Sequence, residues 1–194
     1  MIEYIKGTLT QLTPATATVE TANGVAFMLN ITLNTYAALD GKSQVKVLVH
    51  ENIREDAWTL YGFAAERERE LFRALIGVSG VGAGTARVIL SGLTAAEFEN
   101  AVTSGDVRSL KNVKGIGAKT AERIIVDLRD KIKPTGDTLL PSTPARSDVY
   151  DEAEAALVML GYTRQQSQKA LRKLFEADPL IKLESAIKKA LAMM

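Results

Sequence analysis

A chain of 194 residues with 46% hydrophobic content can bury one large core or two to three small ones. It has no cysteine, which excludes a disulfide scaffold and a thiolate metal site, and its formal charge of +1 marks no overall bias toward polyanions. No apolar run approaches the roughly eighteen residues of a membrane span. No basic segment leads into an apolar one at the start, so the expectation is a cytoplasmic protein without a membrane span.

Residues 1–63 read as β. Segments 2–9, 16–21, 25–31, 45–49 and 57–63 are short, rich in β-branched residues and partly alternating. Asn23-Gly24 between the second and third is a strong hairpin signal. Five short antiparallel strands in so few residues predict a small Greek-key barrel of the OB type. Trp58 is expected in its core or packed beside the Glu55-Asp56 loop. His50, the sole histidine, is expected to be structural.

Residues 64–133 switch to a helical period, with Leu71, Phe72, Leu75 and Ile76 on one stripe. Within them residues 75–93 and 110–128 align without a gap, nine identities in nineteen at an offset of thirty-five. Each copy runs from an apolar segment through Gly-(Val/Ile)-Gly into a helix: Gly80, Val81 and Gly82, then Gly115, Ile116 and Gly117. The first glycine can take a positive φ, and the second leaves bare backbone where something must approach closely. The helix behind presents unpaired N–H groups and a positive dipole end to an anion. Two such sites one helical unit apart suit two phosphates of a polyanion, which predicts sequence-independent DNA binding. Thr94-Ala-Ala-Glu97 reads as a capping box, and Ser104-Gly105 as the end of its helix.

Other glycine-rich readings fail. A P-loop needs glycine before its Lys-Thr, and Lys119-Thr120 follows Ala118. A dinucleotide fingerprint needs a third glycine where Thr85 stands. Charge is segregated: net −2 over 1–63, +3 over 64–133 and 0 over 134–194, so the excess falls on the duplicated turns. Residues 134–147, with three prolines, read as a flexible linker. Residues 148–194 read as three helices, with Ala153, Ala156, Leu157 and Leu160 on one face, a break at Gly161-Tyr162 and a second capping box at Thr163-Arg-Gln-Gln166.

The fold class is therefore multidomain α+β: an OB-type barrel (1–63), a tandem helix-hairpin-helix domain (64–133), a linker (134–147) and a small three-helix, UBA-like domain (148–194). In this order, and with Ile53-Arg-Glu-Asp-Ala57, Leu60-Tyr-Gly-Phe63, Gly115-Ile-Gly-Ala-Lys-Thr-Ala-Glu-Arg123 and Leu160-Gly-Tyr162, the whole chain resembles the RuvA family. These are the Holliday-junction-binding subunits of the bacterial branch-migration machine. The resemblance implies a non-catalytic homotetramer, in some cases an octamer, that holds a four-way junction open and square without a cofactor or metal. Gly80, Val81, Gly82, Gly115, Ile116 and Gly117 would give N–H groups to phosphates, Lys119 and Arg123 charge, and Arg54 a backbone contact at the junction. Glu55 and Asp56 would be the acidic pin. The tail, through Leu157, Leu160, Tyr162 and part of the last helix, would dock a RuvB-type hexameric ATPase, although the same residues at helical spacing suit a core equally well. A RuvC-type resolvase would join a larger complex.

The sequence departs from the family in two places: Gly84 and Ala118 stand where lysines are common. Salt tolerance should suffer unless Arg87, Lys111 or Lys114 compensates. The rival reading is a helix-hairpin-helix accessory subunit of a repair nuclease or ligase that grips plain duplex. It leaves Glu55-Asp56 and the tail unexplained. A glycosylase reading would need a catalytic residue such as Asp127 facing a base pocket, and an RNA-binding barrel would need surface aromatics.

Overall fold

The structure, a computed structural model, describes residues 1–132, 146–178 and 181–193. It divides into two compact units, Met1–Gly136 and Asp137–Met194. Most of the expected linker, residues 134–145, and Pro179 lie outside the described residues. Among the described residues no helix is long and apolar enough to cross a membrane.

The first unit opens with β1 (Tyr4–Leu12), β2 (Thr16–Glu20), β3 (Ala26–Ile31), β4 (Gln44–Ile53) and β5 (Trp58–Phe63), closed into a barrel in the order β1-β2-β3-β5-β4. Alternation places one face of β1, β2, β3 and β4 inside: Ile5, Val19, Leu29, Ile31, Val45, Val47 and Val49 form a buried cluster. The turn at Gly24 joins β2 to β3 as expected, with φ 81°. Two expectations are corrected. The seam β3–β5 is parallel, Asn30 facing Tyr61 and Ile31 facing Gly62, while the other pairs are antiparallel. A parallel pair needs a crossover, and a helix not anticipated from the sequence, α1 (Leu33–Leu39), begins it. Thr32 caps that helix, accepting from the Thr35 N–H.

Helices α2 (Glu66–Ile76), α3 (Ala83–Gly92), α4 (Ala95–Ser104), α5 (Val107–Lys111) and α6 (Ala118–Leu128) follow. Their core, with Leu71, Phe72, Leu75, Ile89, Phe98, Leu110 and Ile124, is continuous with Tyr61 and Phe63 of β5. Phe72 packs between the two, its ring 5.0 Å from Tyr61 and 4.9 Å from Phe63. Polar contacts pin the barrel to the helices. Glu68 accepts from the hydroxyls of Thr32 and Thr35, and buried Arg69 donates to the carbonyls of Glu3 and Val49. The segments 1–63 and 64–132 thus pack as one body. His50 lies edge-on to Phe72 at 5.3 Å, and burial, then Arg73 and Arg69, push its pKa down, consistent with a structural role.

The second unit holds α7 (Arg146–Met159), α8 (Arg164–Ala177) and α9 (Leu183–Leu191), so α7 starts inside the segment expected as linker. Ala153, Leu157, Leu171, Phe175, Ala186 and Ala190 form its core. The capping boxes at Thr94 and Thr163 are both present.

Candidate nucleic-acid interface

The sequence duplication is a duplication of geometry. In the first copy the Val78 N–H donates to the Leu75 carbonyl and the Val81 N–H to the Val78 carbonyl. In the second, thirty-five residues on, Val113 donates to Leu110 and Ile116 to Val113. Gly80 and Gly115 turn the chain with φ 88° and 90°, a region that L side chains avoid. Gly82 and Gly117 then stand as N-caps with nearly the same dihedrals, φ −86° and ψ 168° against φ −81° and ψ 165°. Helix α2, the turn and α3 make one hairpin, and α5, the turn and α6 the other.

Neither Gly82 nor Gly117 is demanded by the fold. Their φ values suit any residue, and a Cβ built on either meets nothing within 4 Å. The space in front of both caps is open to an outside group. The helices behind them lack a side-chain cap, as do α2 and the α9 of the second unit, whereas Thr32, Thr94, Asp106 and Thr163 cap α1, α4, α5 and α8. The first backbone acceptors used are the carbonyls of Gly82, by Ala86, and of Gly117, by Ala121. The amides of residues 82–85 and 117–120 therefore have no acceptor within their own helices and are left as donors for an outside group.

Val81 and Ile116 have a different place from the one expected. Their side chains are buried, and their N–H groups are spent inside the turns, so they do not supply donors to a ligand. They fix the turn, and the glycines and the residues after them present it. Lys119, Lys111 and Lys114 are exposed on the second hairpin, as is Arg123. Arg123 Nη1 reaches back to the Ser79 carbonyl at 3.3 Å, a link between the copies that pattern reading missed. Arg87 does not compensate for Gly84 in the way considered: its Nη1 donates to the Ala15 carbonyl at 3.3 Å and Asn30 Oδ1 at 3.1 Å, facing the barrel.

Glu55 and Asp56 occupy the tip of the β4–β5 hairpin. Ile53 and Trp58 are its last strand pair, and the Arg54 N–H donates to the Ala57 carbonyl at 2.8 Å, closing a four-residue loop. Arg54, Glu55, Asp56 and Ala57 are all exposed. Trp58 is not core: 65% of its surface is exposed, and Ile53 beside it is 69% exposed. The loop projects two carboxylates and one guanidinium past an apolar base.

In the tail, Leu157 is fully buried and Leu160 is 60% exposed. The helix ends at Met159, and past it Leu160 no longer follows the apolar stripe. Of the two places open to it, Leu157 therefore takes the core and not the docking surface. Val158, Met159 and Leu160 together form an exposed apolar run that the sequence pattern did not single out, with half-buried Tyr162 following it.

Three family descriptions match consecutive parts of the chain: RuvA N terminal domain over residues 1–62, SAM-like Helix-hairpin-helix tandem over 72–130, and RuvA, C-terminal domain over 148–194. A relative from Bacteroides fragilis is 49% identical over 201 residues, covering 98% of each chain. Others from Parabacteroides distasonis and Christiangramia forsetii are 46% and 44% identical, covering 100% and 98% of each chain. Each of these relatives is named Holliday junction branch migration complex subunit RuvA. With paired open-ended hairpins, an acid-tipped barrel loop and relatives of this identity along its whole length, the chain belongs to the RuvA family.

Proposed function

We propose that this chain binds four-way DNA junctions by their shape and serves branch migration in recombination and repair. The observation that carries the reading is the pair of superposable turns, each with an uncapped helix start and a glycine that the fold itself does not require. Donors fixed on one rigid unit can meet phosphates at a set spacing. Such contacts position a duplex without reading its bases, as a moving crossover requires. Gly80, Gly82, Gly115 and Gly117 shape the grip, Lys119 and Arg123 add charge, and Arg54 contacts backbone near the crossover.

The pin supplies structure specificity by repulsion. Carboxylates at Glu55 and Asp56 repel phosphates within a Debye length of roughly 8–10 Å. A homotetramer would gather four such loops where the arms of an open junction part, and a continuous duplex crossing that centre would be penalised. Pairing of two tetramers into an octamer would enclose the junction.

The chain acts without chemistry of its own. ATP hydrolysis belongs to a RuvB-type hexameric ATPase, docked through Leu160, Tyr162 and the adjoining Val158 and Met159, with a RuvC-type resolvase acting in a larger cytoplasmic complex. The test is competition binding of a labelled four-way junction against duplex of identical sequence across a salt series. Junction preference that survives excess duplex supports the reading. Equal affinities reduce the chain to a duplex-gripping accessory module.

A further inference from the structure

Trp58 is the only tryptophan of the chain, and it stands largely in solvent one strand pair below the acidic loop. Its indole forms one wall of an open groove of about 380 Å³, with Met28, Asn30 and Thr59 among the other walls. None of the residues lining the groove is charged. Met28 is 62% exposed, so the groove adds to an apolar surface rather than closing it. Large exposed apolar surface beside polar groups marks a place where something binds.

The position of Asn30 gives the groove a direction. Its Nδ2 donates to the Leu60 carbonyl at 3.4 Å, while its Oδ1 accepts from Arg87 Nη1 at 3.1 Å. Arg87 lies on α3, the helix that starts at the open amides behind Gly82. One surface therefore runs from the first hairpin through a guanidinium and an amide into an apolar groove walled by an indole, and ends at the acidic loop. The ligand such a surface fits has an anionic backbone at one end and a flat heteroaromatic ring at the other.

We propose that this groove takes one unpaired nucleobase, stacked on Trp58, where strands part beside the pin. The inference rests on the reading of the chain as a junction binder. A base inside a duplex has both faces covered by its neighbours and cannot offer one to the indole. A base released at a crossover can, and stacking on an aromatic side chain is tolerant of sequence because every base has a π-face. Glu55 and Asp56 turn phosphates away just above the groove, while the uncharged groove accepts the base. The pin thus gains an attractive partner: the strand is parted by repulsion and the base held by stacking.

Because the chain has one tryptophan, its tryptophan emission, excited selectively over that of the five tyrosines, reports on this groove alone. The full-length protein is titrated with a four-way junction carrying unpaired bases at the crossover, and with duplex of the same sequence. The junction should quench Trp58 emission, and duplex should leave it unchanged. Trp58→Ala should weaken junction binding roughly tenfold, within the range of one lost base stack, with duplex binding unaltered, and Trp58→Phe should restore most of the loss. Junction binding with silent emission and an unaffected Trp58→Ala variant overturns the inference and leaves the functional reading intact. A Trp58→Ala variant whose assembly mass falls in light scattering before any DNA is added also overturns it, making the groove a contact between copies. Absence of any junction preference in the unaltered protein overturns the functional reading itself, and this inference with it.

Discussion

The guanidinium of Arg123, on α6, donates through Nη1 to the carbonyl oxygen of Ser79 at 3.3 Å and to its hydroxyl at 3.4 Å. A side chain of the second hairpin thereby steadies the turn of the first, and its remaining donors stay at the surface. Replacing Arg123 by alanine removes a long, exposed hydrogen bond, so stability should fall by no more than about 1 kcal/mol. If Arg123 also neutralises a phosphate, the slope of log K against log salt becomes shallower by about 0.9 for junction and duplex alike. Anisotropy of labelled DNA over a salt series checks this. Lost affinity with an unchanged slope would mean that Arg123 works only by holding the turn.

The two glycines of each turn should separate folding from binding. Gly80→Ala and Gly115→Ala force alanine into positive φ, at a cost of about 1–2 kcal/mol in denaturant unfolding. Gly82→Ala and Gly117→Ala meet no atom within 4 Å, and stability should change by less than about 1 kcal/mol. Yet a methyl there stands in front of the open amides. Losing one charge-assisted hydrogen bond, about 1.5–3 kcal/mol, should weaken DNA binding by roughly tenfold or more. Normal affinity in the Gly82→Ala, Gly117→Ala double variant would place the phosphates elsewhere.

Glu68 couples the barrel to α2 and should give a pH signature. Burial raises its pKa, opposed by the hydrogen bonds from Thr32 and Thr35. A carboxyl whose folded pKa lies above its unfolded one binds more protons in the native state. Its contribution to stability is present at low pH and declines as pH rises through the folded pKa. Denaturant unfolding of wild type and Glu68→Gln from about pH 4 upward should show the wild type losing ground to the variant as pH rises. A constant difference across that range would contradict the burial effect.

The tail divides into core and surface within one turn. Leu157→Ala removes a fully buried side chain, and a cost of about 2–5 kcal/mol should unfold so small a domain. Leu160→Ser alters an exposed side chain and should leave the tail's circular dichroism intact while reducing capture of a RuvB-type ATPase several-fold. Undiminished capture would move the docking surface off this end of α7.

Features written in local chemistry were legible before the fold was known. The duplicated glycines took the dihedrals their spacing implied, and Thr94 and Thr163 capped the helices they preceded. What the sequence hid depends on neighbours distant along the chain. In β5, Tyr61 and Phe63 face the helical core while Gly62 lies against Val47 and Leu29 of the barrel, so both faces are covered and alternation fails there. The same strand starts in solvent, which takes Trp58 out of the barrel core and leaves it beside the acidic loop, the second of the two places its sequence allowed. Helix α1, seven residues long, is too short to show a period. The amides of Val81 and Ile116 looked available because their partners, Val78 and Val113, are acceptors only once the turn has formed. Leu160 shares helical spacing with Leu157, but the helix ends before it.

If shape, enforced by the acidic loop, decides which DNA is bound, removing the loop's charge must remove the discrimination. The most direct measurement is the ratio of junction to duplex affinity for wild type and for a Glu55→Gln, Asp56→Asn double variant at one salt concentration. Both residues are exposed, so the fold should be unaffected. In the double variant duplex binding should strengthen, junction binding persist and the ratio collapse toward one. An unchanged ratio would contradict that role of the loop, leaving selectivity to the hairpins alone.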